Sequence, residues 1–236
     1  MTAESEFLHD DRNRRALDRV VFLSDGVFAI ALTLLVLDLR LPPLAGHSES
    51  ALGQALAADA PRFVAFVISF EVIGIFWLAH LRLFSVIARY DRGLAFINLL
   101  FLMSIAVMPF STTLVSEYGD LTIAAAFYSG TLVLTSVTSN VIWWYAARRG
   151  RLLDSHASHA DVLVITTRSV LTLILFVLSF GLAFVSVRLS QITWVLVAVV
   201  TPIGERVARR RSSRGRRGRP SDSAKATSDK SGRPDA

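Results

Sequence analysis

Long apolar stretches constrain this chain more than any other feature of its sequence. Several run for about 18 residues or more with few charges, the length that an α-helix needs to cross the hydrocarbon core of a bilayer. Hydrophobic residues make up 53% of the chain. The sequence therefore predicts an all-α polytopic membrane protein with six transmembrane helices, at about 20–40, 61–81, 93–115, 121–146, 165–187 and 190–206.

The basic residues fall into alternate loops. They cluster before the first predicted span, after the second, fourth and sixth, and only Arg40, Arg62 and Arg188 lie in the loops between. Because cytoplasmic loops carry the excess of Lys and Arg, an even number of spans with both termini cytoplasmic satisfies this pattern. Trp143, Trp144 and Tyr145 then form an aromatic belt at the cytoplasmic interface. We expect a multi-pass protein of the cell membrane.

The two ends of the chain differ from its middle. We predict a cytoplasmic N-terminal segment at 1–18, a six-helix transmembrane domain at 19–206 and a basic cytoplasmic tail at 207–236. The tail is rich in Arg, Ser, Gly and Pro, so we expect disorder. A solvated tail that fixes the topology is the favoured interpretation, and contact with anionic lipid headgroups is the alternative. The net charge of +6 lies between the spans and in the tail, which argues against a nucleic-acid partner.

Asp25 is an ionisable residue inside the first predicted span. At about 100° per residue, Ile30, Leu34 and Leu37 share one face of that helix with Thr33 beside them, and Asp25 points about 140° away from Ile30. If the apolar stripe faces a pore axis, Asp25 faces neighbouring helices. A carboxylate placed there needs partners or a proton.

The depth of each residue in the membrane indicates those partners. The first helix runs outward, the second inward and the third outward, so Trp77, His80 and Asn98 lie at the depth of Ser24 and Asp25. Hydrogen bonds between helices contribute about 0.6–2 kcal/mol each in a membrane. We favour a packing network that locks three helices together. A protonatable switch or proton path is the alternative.

The residues around Asp25 on the first predicted helix resemble a signature of a known family. The stretch Arg19-x-x-x-Leu23-Ser24-Asp25 is similar to the Arg-x-x-x-Phe-Ser-Asp signature on the first helix of the transmembrane-protein-175 potassium channels, which include lysosomal channels and single-repeat prokaryotic relatives. The match covers about the first half of the chain. It extends to Trp77, His80, Phe84, Asn98, Pro109 and Phe110.

The resemblance implies a homotetramer of six-helix chains around a central pore lined by the first helix. By position from the Ser-Asp pair, the pore constriction is Ile30, Leu34 and Leu37, and Thr33 forms a polar layer. Ser24 and Asp25 form a structural polar network with Trp77, His80 and Asn98, to which we also assign Arg19. Headgroups at the cytoplasmic mouth are an alternative partner for Arg19.

Two residues depart from the expected pattern. Leu23 stands where the family signature has Phe, which affects the packing of the signature rather than its polar pair. Glu71 lies near the middle of the second predicted helix, where an apolar residue is expected. The favoured interpretation is a satisfied acid that faces neighbouring helices, and a proton-sensing Glu71 is the alternative.

If the protein conducts ions, it must select them without the carbonyl filter of ordinary potassium channels. The chain lacks a Thr-Val-Gly-Tyr-Gly carbonyl filter and a voltage-sensing helix with repeated arginines. Selection then falls to a hydrophobic constriction, which favours the ion that sheds water more cheaply, so we expect permeant K⁺ ions and no cofactor. The alternative is a secondary transporter or proton-coupled carrier that uses Asp25, His80 and Glu71. The internal repeats typical of many transporters are missing.

Other candidate sites are weaker. His156 and His159 have a spacing that fits a metal if helical, but a solvated loop is the favoured interpretation and we predict no metal site. The fourth predicted helix is rich in Ser, Thr and Asn, which commonly let membrane helices pack closely; a hydrophilic ion path is the alternative. The common nucleophile, phosphate-binding and zinc-protease motifs are missing, so we do not expect an enzyme.

Overall fold

The computed structural model describes residues 3–40, 46, 48–148, 152–153 and 159–196. These residues form seven α-helices and a 3₁₀ turn, Leu35–Asp38, that follows the first helix. The helices are α1 Ala3–Leu34, α2 Glu49–Ala58, α3 Ala60–Phe84, α4 Arg92–Tyr118, α5 Thr122–Arg148, α6 His159–Val185 and α7 187–196. The predicted tail at 207–236 and His156 lie outside the described residues.

Five of the described helices are long and apolar enough to cross a membrane, and they correspond to the first five predicted spans. The predicted sixth span begins inside α7, and its residues after 196 lie outside the described residues, so a sixth spanning helix stays a prediction. α1 begins at Ala3, and the segment predicted as a separate cytoplasmic region therefore continues the first helix. The many charged residues of this segment leave no clear helical spacing of apolar residues in the sequence. Arg, Glu, Ala and Leu are nevertheless good helix formers.

The first helix changes from α-helical to 3₁₀ geometry at its C-terminal end. The α-helix ends at Leu34 and the 3₁₀ turn carries the chain to Asp38. Pro42 and Pro43 follow in the sequence, and a proline disfavours helical conformation in the residue before it. In a 3₁₀ helix residues three apart are eclipsed, so Leu37 stays directly in line with Leu34 instead of drifting by about 60°.

α4 lies at the centre of the bundle. It packs against α1, α3 and α5, and α6 packs on the far side of α5. An isolated bridge between Ile87 and Leu153 joins the loop after α3 to the loop after α5. The helix ends at this side of the bundle, where α3 and α5 end and α4 and α6 begin, are called the basic end below.

Hydrogen-bonded hydroxyl groups connect the helices away from the basic end. Thr112 Oγ1 donates to Ser69 Oγ at 2.8 Å, and Ser69 Oγ lies 3.0 Å from Tyr128 Oη, which joins α3, α4 and α5. Trp194 Nε1 donates to Ser179 Oγ at 2.7 Å, and Ser129 and Ser190 complete a group that fastens α7 to α5 and α6. The hydroxyl groups of α5, which corresponds to the fourth predicted helix, therefore serve helix packing, as its small side chains indicate.

A capped helix start organises the basic end. Asp91 precedes α4, and its carboxylate accepts hydrogen bonds from Gly93 N at 2.6 Å and from Tyr145 Oη at 3.0 Å. An Asp at this position satisfies one of the N–H groups that a helix start leaves open. A Cβ atom at Gly93 would overlap the Tyr145 hydroxyl, so this close approach requires glycine.

We expect Gly93→Val to destabilise the protein by about 1–3 kcal/mol, because the added side chain must displace Tyr145 from Asp91. The measurement is the midpoint of thermal unfolding of the purified protein. Gly181→Val is the matched control, since a Cβ at Gly181 meets nothing within 4 Å. Equal losses in the two variants would contradict the assignment.

Candidate functional site

Five polar side chains meet between α1, α3 and α4, and we call them the Asp25 cluster (Ser24, Asp25, Trp77, His80 and Asn98). Trp77 Nε1 donates to Asp25 Oδ1 at 2.9 Å. Asn98 Nδ2 donates to Ser24 Oγ at 3.0 Å, and His80 Nε2 lies 3.0 Å from Asn98 Oδ1. The structure thus brings together the five residues that were predicted to lie at the same depth in the membrane.

The hydrogen-bond directions determine how His80 binds. Because Asn98 uses its NH₂ group to donate to Ser24, its oxygen faces His80 and can only accept. His80 therefore donates from Nε2. Its Nδ1 is buried and has no hydrogen-bond partner among the described residues.

Aromatic rings enclose the histidine. His80 stacks on Phe84 with ring centroids 4.3 Å apart and on Phe101 at 5.5 Å, and Phe28 lies 5.8 Å away. These rings leave His80 2% exposed. Within the described part of the chain, no hydrogen bond links His80 to Asp25. The cluster consists of two separate hydrogen-bonded branches from adjacent residues of α1, a geometry that suits packing better than a continuous proton path.

Arg19 does not join this cluster. Its side chain is exposed, and it makes no hydrogen bond or ion pair with the residues that the structure describes. The assignment of Arg19 to the polar network, like its alternative contact with headgroups at the cytoplasmic mouth, therefore stays a prediction. Arg19 lies on α1 more than one turn before Asp25.

Next to the cluster, α1 presents an apolar stripe to its surroundings. Ile30 is 60% exposed, Leu34 43% and Leu37 62%, and Thr33 is exposed beside them. The opposite face is buried against α3 and α4 through Phe28, Ala31 and Leu35. The α1 stripe (Ile30, Thr33, Leu34 and Leu37) therefore points away from its own chain.

Thr33 is the polar member of the α1 stripe. Its hydroxyl lies 3.0 Å from Ala29 O and 2.9 Å from Ile30 O, so it donates back to its own helix. Such a bond leaves the oxygen lone pairs available on the exposed side. Leu23, which stands where the family signature has Phe, is 49% exposed and lies on the same side of α1.

Glu71 lies apart from the cluster. It is on α3, more than one turn from Trp77, and its side chain is exposed between Val67 and Leu78, themselves exposed apolar residues. Glu71 has no hydrogen-bond or ion-pair partner among the described residues, so the favoured interpretation, a satisfied acid that faces neighbouring helices, stays a prediction. Proton sensing by Glu71 stays a prediction.

Comparisons with known proteins cover the segment that contains these residues. A family model described as endosomal/lysosomal potassium channel TMEM175 matches residues 19–109, which contain the α1 stripe and all of the Asp25 cluster. A protein from Streptomyces collinus named as a potassium channel is 40% identical over 185 residues, covering 77% of this chain and 89% of the relative. The chain belongs to the TMEM175 family.

Two further comparisons extend beyond the matched segment. A protein from Chamaesiphon minutus named as a potassium channel is 37% identical over 175 residues, covering 73% of this chain and 86% of the relative. The crystal structure of a lysosomal potassium-selective channel TMEM175 homolog from Chamaesiphon minutus aligns with a TM-score of 0.71 and 32% identity, over 80% of this chain and 97% of that one. The TMEM175 likeness therefore reaches past the first half of the chain, where the sequence motifs end.

Proposed function

We propose that this TMEM175 family member is a potassium-permeable cation channel, a homotetramer whose central pore is lined by α1. The observation that carries the proposal is the α1 stripe, a row of large apolar side chains that faces away from the chain beside a buried polar cluster. A single stripe cannot enclose a pore, so the other walls must come from further copies related by symmetry. The likeness to proteins named as potassium channels supports K⁺ as the permeant ion.

Charge supports an orientation for the proposed channel. The basic residues flank the start of α1 and the loops at the basic end, whereas Asp38, Asp59 and Glu117 lie at the opposite end of the bundle. We propose that the basic end and both termini are cytoplasmic and that the channel acts in the cell membrane. For the tail at 207–236, which lies outside the described residues, a solvated tail stays the favoured interpretation and contact with anionic lipid headgroups the alternative.

The proposed mechanism uses dehydration at the α1 stripe. Ile30, Leu34 and Leu37 from each copy would form successive apolar rings without a carbonyl filter. An ion must shed part of its water to pass such a ring, and K⁺ sheds water more cheaply than Na⁺. Thr33 hydroxyls between the rings would offer oxygen atoms to a partly dehydrated ion.

The Asp25 cluster would orient this wall. Its bonds hold α1 against α3 and α4 about 7–8 Å below Ile30 along the helix axis. Rotation of α1 would turn the stripe away from the axis and would also break the Asp25–Trp77 and Ser24–Asn98 bonds. We therefore assign the cluster a positioning role in permeation.

Reconstitution into planar bilayers with K⁺ on one side and Na⁺ on the other tests the proposal. Single-channel steps with a reversal potential biased towards K⁺ are expected. Slow, saturating flux without steps would instead favour the transporter or proton-coupled carrier that uses Asp25, His80 and Glu71. The separation of Glu71 from the other two residues weakens that second candidate.

Glu71 gives a separate test of pH dependence. A carboxylate in the middle of a membrane helix tends to face another protein surface or a water-filled cavity, so we propose that Glu71 lies at a contact between copies and is the proton-sensing residue there. Glu71→Gln keeps the shape of the side chain and removes its ionisable carboxyl group. If Glu71 senses protons, we expect this variant to flatten the dependence of K⁺ flux on pH between about pH 5 and pH 8.

The matched control for Glu71 is Glu117→Gln. Glu117 lies 3.7 Å from Arg62 at the opposite end of the bundle. This variant should retain the pH profile of the unmodified protein. An unchanged profile in Glu71→Gln would rule out proton sensing by Glu71.

A further inference from the structure

The outward face of α1 continues from the α1 stripe towards the start of the helix. At about 100° per residue, Leu23, Arg19 and Arg12 lie within about 20° of Ile30 around the helix axis. All three side chains are exposed, as Ile30 is. The outward face of α1 is therefore apolar as far back as Leu23 and carries arginines before it.

Buried residues fix the rotation of this early part of α1. Leu17 is 9% exposed and belongs to the buried core, although it lies between the two arginines. Leu17, Ser24 and Ala31 are buried and spaced seven residues apart, at about 100–140° from Ile30 around the helix. Both parts of α1 thus bury the same face, and Arg12 and Arg19 point away from their own chain as the α1 stripe does.

The acidic residues of this segment follow a different line along the helix. Three aspartates are spaced seven residues apart: Asp11, Asp18 and Asp25. They lie about 100–140° from Ile30 on the other side of the helix. Asp11 lies 2.8 Å from Arg15 and pairs with it. Arg12 and Arg19 make no hydrogen bond or ion pair with the residues that the structure describes, so the outward face keeps their charges.

Fourfold symmetry would arrange these arginines in rings. The start of α1 lies at the basic end, because Ser24 is bonded to Asn98 near the start of α4. Arg19 lies about 16–17 Å before Ile30 along the helix axis, and Arg12 lies about 10–11 Å before Arg19. A guanidinium group stays charged at every physiological pH, so both rings would be permanently positive.

We propose that Arg12 and Arg19 form an electrostatic barrier at the basic-end mouth of the pore and reduce the entry of K⁺ from that side. The inference rests on the proposed function, because it needs four copies of α1 around one axis. A mouth lined by charges of one sign changes the local concentration of ions. The α1 stripe would then select the ion, while the arginines would limit the current in one direction.

The size of the effect depends on salt. At 0.1 M salt the Debye length is about 10 Å, comparable to the diameter of a helix with its side chains. A ring of four guanidinium groups should then lower the K⁺ concentration at the mouth about two- to threefold. The reduction should grow at 0.01 M salt, where the Debye length is about 30 Å, and nearly vanish at 1 M, where it is about 3 Å.

Single-channel recording of the full-length protein in symmetrical KCl at these three concentrations tests the inference. The unmodified protein should pass unequal currents at opposite voltages in 0.01 M KCl and nearly equal currents in 1 M KCl. The double variant Arg12→Gln/Arg19→Gln should raise the smaller current about two- to threefold at 0.1 M KCl and leave the currents at 1 M nearly unchanged. A structural role of these arginines would not depend on salt in this way.

Substitutions at Arg19 separate charge from hydrogen bonding. Arg19→Lys keeps the charge and should behave as the unmodified protein does. Arg19→Glu reverses the charge and should raise the smaller current more than Arg19→Gln does. If Arg19→Lys and Arg19→Gln raise the current equally, the barrier is overturned in favour of guanidinium hydrogen bonds within the polar network, because lysine cannot reproduce their geometry.

Arg14→Gln is the matched control, because it removes the same charge from the same part of α1 but about 160° from Ile30 around the helix. Its currents should match those of the unmodified protein. An equal rise in Arg14→Gln and Arg12→Gln would overturn the barrier in favour of unspecific surface charge. Channel steps with unchanged currents in the double variant would overturn this inference and leave the channel proposal standing, whereas an absence of steps in the unmodified protein would overturn both.

Discussion

Replacing Ile30 by Ala should raise the permeability of Na⁺ relative to K⁺ by up to about tenfold, equivalent to about 1.4 kcal/mol in the relative barriers. The substitution removes every side-chain carbon beyond Cβ, and in the proposed homotetramer it does so in all copies of the ring at once. A wider ring lets an ion keep more of its water. The advantage of K⁺, which depends on dehydration, should therefore shrink. Leu34→Ala should act in the same direction.

The measurement is the reversal potential with K⁺ and Na⁺ on opposite sides of a bilayer. Ile174→Ala is the matched control, because Ile174 on α6 is 55% exposed and Ile30 is 60% exposed, so both lose an outward-facing apolar side chain. Ile174→Ala should leave the permeability ratio unchanged. If Ile30→Ala and Leu34→Ala both keep the original selectivity, the constriction lies elsewhere.

The part of the site that could be predicted from sequence follows from helix geometry. Fixed rise and rotation per residue place Asp25, Trp77 and Asn98 at one depth and put Ile30 and Leu34 on one face. The hydrogen bonds of the Asp25 cluster and the exposure of the α1 stripe agree with that geometry. These features depend on the face that a residue occupies on its own helix and on its depth in the membrane. Both can be read from the position of the residue within a predicted span.

The features that sequence reasoning missed depend on how helices face each other. Glu71 was expected to be satisfied by neighbouring helices and Arg19 to join the polar network or contact headgroups, and both side chains are exposed in the single chain. A charged residue inside or beside a span indicates that a partner is needed, but it does not indicate which face of the helix the chain covers.

The continuation of α1 towards its start shows another limit. A change from polar to apolar composition at about residue 19 predicts where the membrane begins, but a helix can continue through that change. Leu17 is 9% exposed and belongs to the buried core, although charged residues surround it in the sequence. Tertiary contact therefore stabilises a segment whose periodicity gives little signal.

Asn98→Leu should weaken both the fold and the selectivity, because Asn98 connects Ser24 on α1 to His80 on α3. Leucine is close to asparagine in size but can neither donate nor accept. His80 Nε2 then loses its acceptor inside a pocket of phenylalanine rings. A buried donor without a hydrogen-bond partner lowers the free energy of unfolding by about 1–3 kcal/mol. The thermal midpoint should fall, and α1 should lose part of the hold that orients the α1 stripe.

A double-mutant cycle isolates the bond between α1 and α4. Ser24→Ala, Asn98→Leu and the double variant are compared by thermal unfolding, with an expected coupling of about 0.6–2 kcal/mol between the two positions. Additive losses would mean that the 3.0 Å contact between Asn98 and Ser24 contributes little to stability. This part of the experiment tests the structural role of the cluster.

Permeation distinguishes a positioning role from packing alone. Tyr128→Phe is the control, because it removes a buried hydroxyl that lies 3.0 Å from Ser69 and joins α5 to α3 without involving α1. It should lower the thermal midpoint and leave the K⁺/Na⁺ permeability ratio unchanged, whereas Asn98→Leu should change both. If Asn98→Leu lowers only the midpoint, the Asp25 cluster locks the helices together but does not orient the pore wall, and the rotation of α1 must be fixed by contacts between copies.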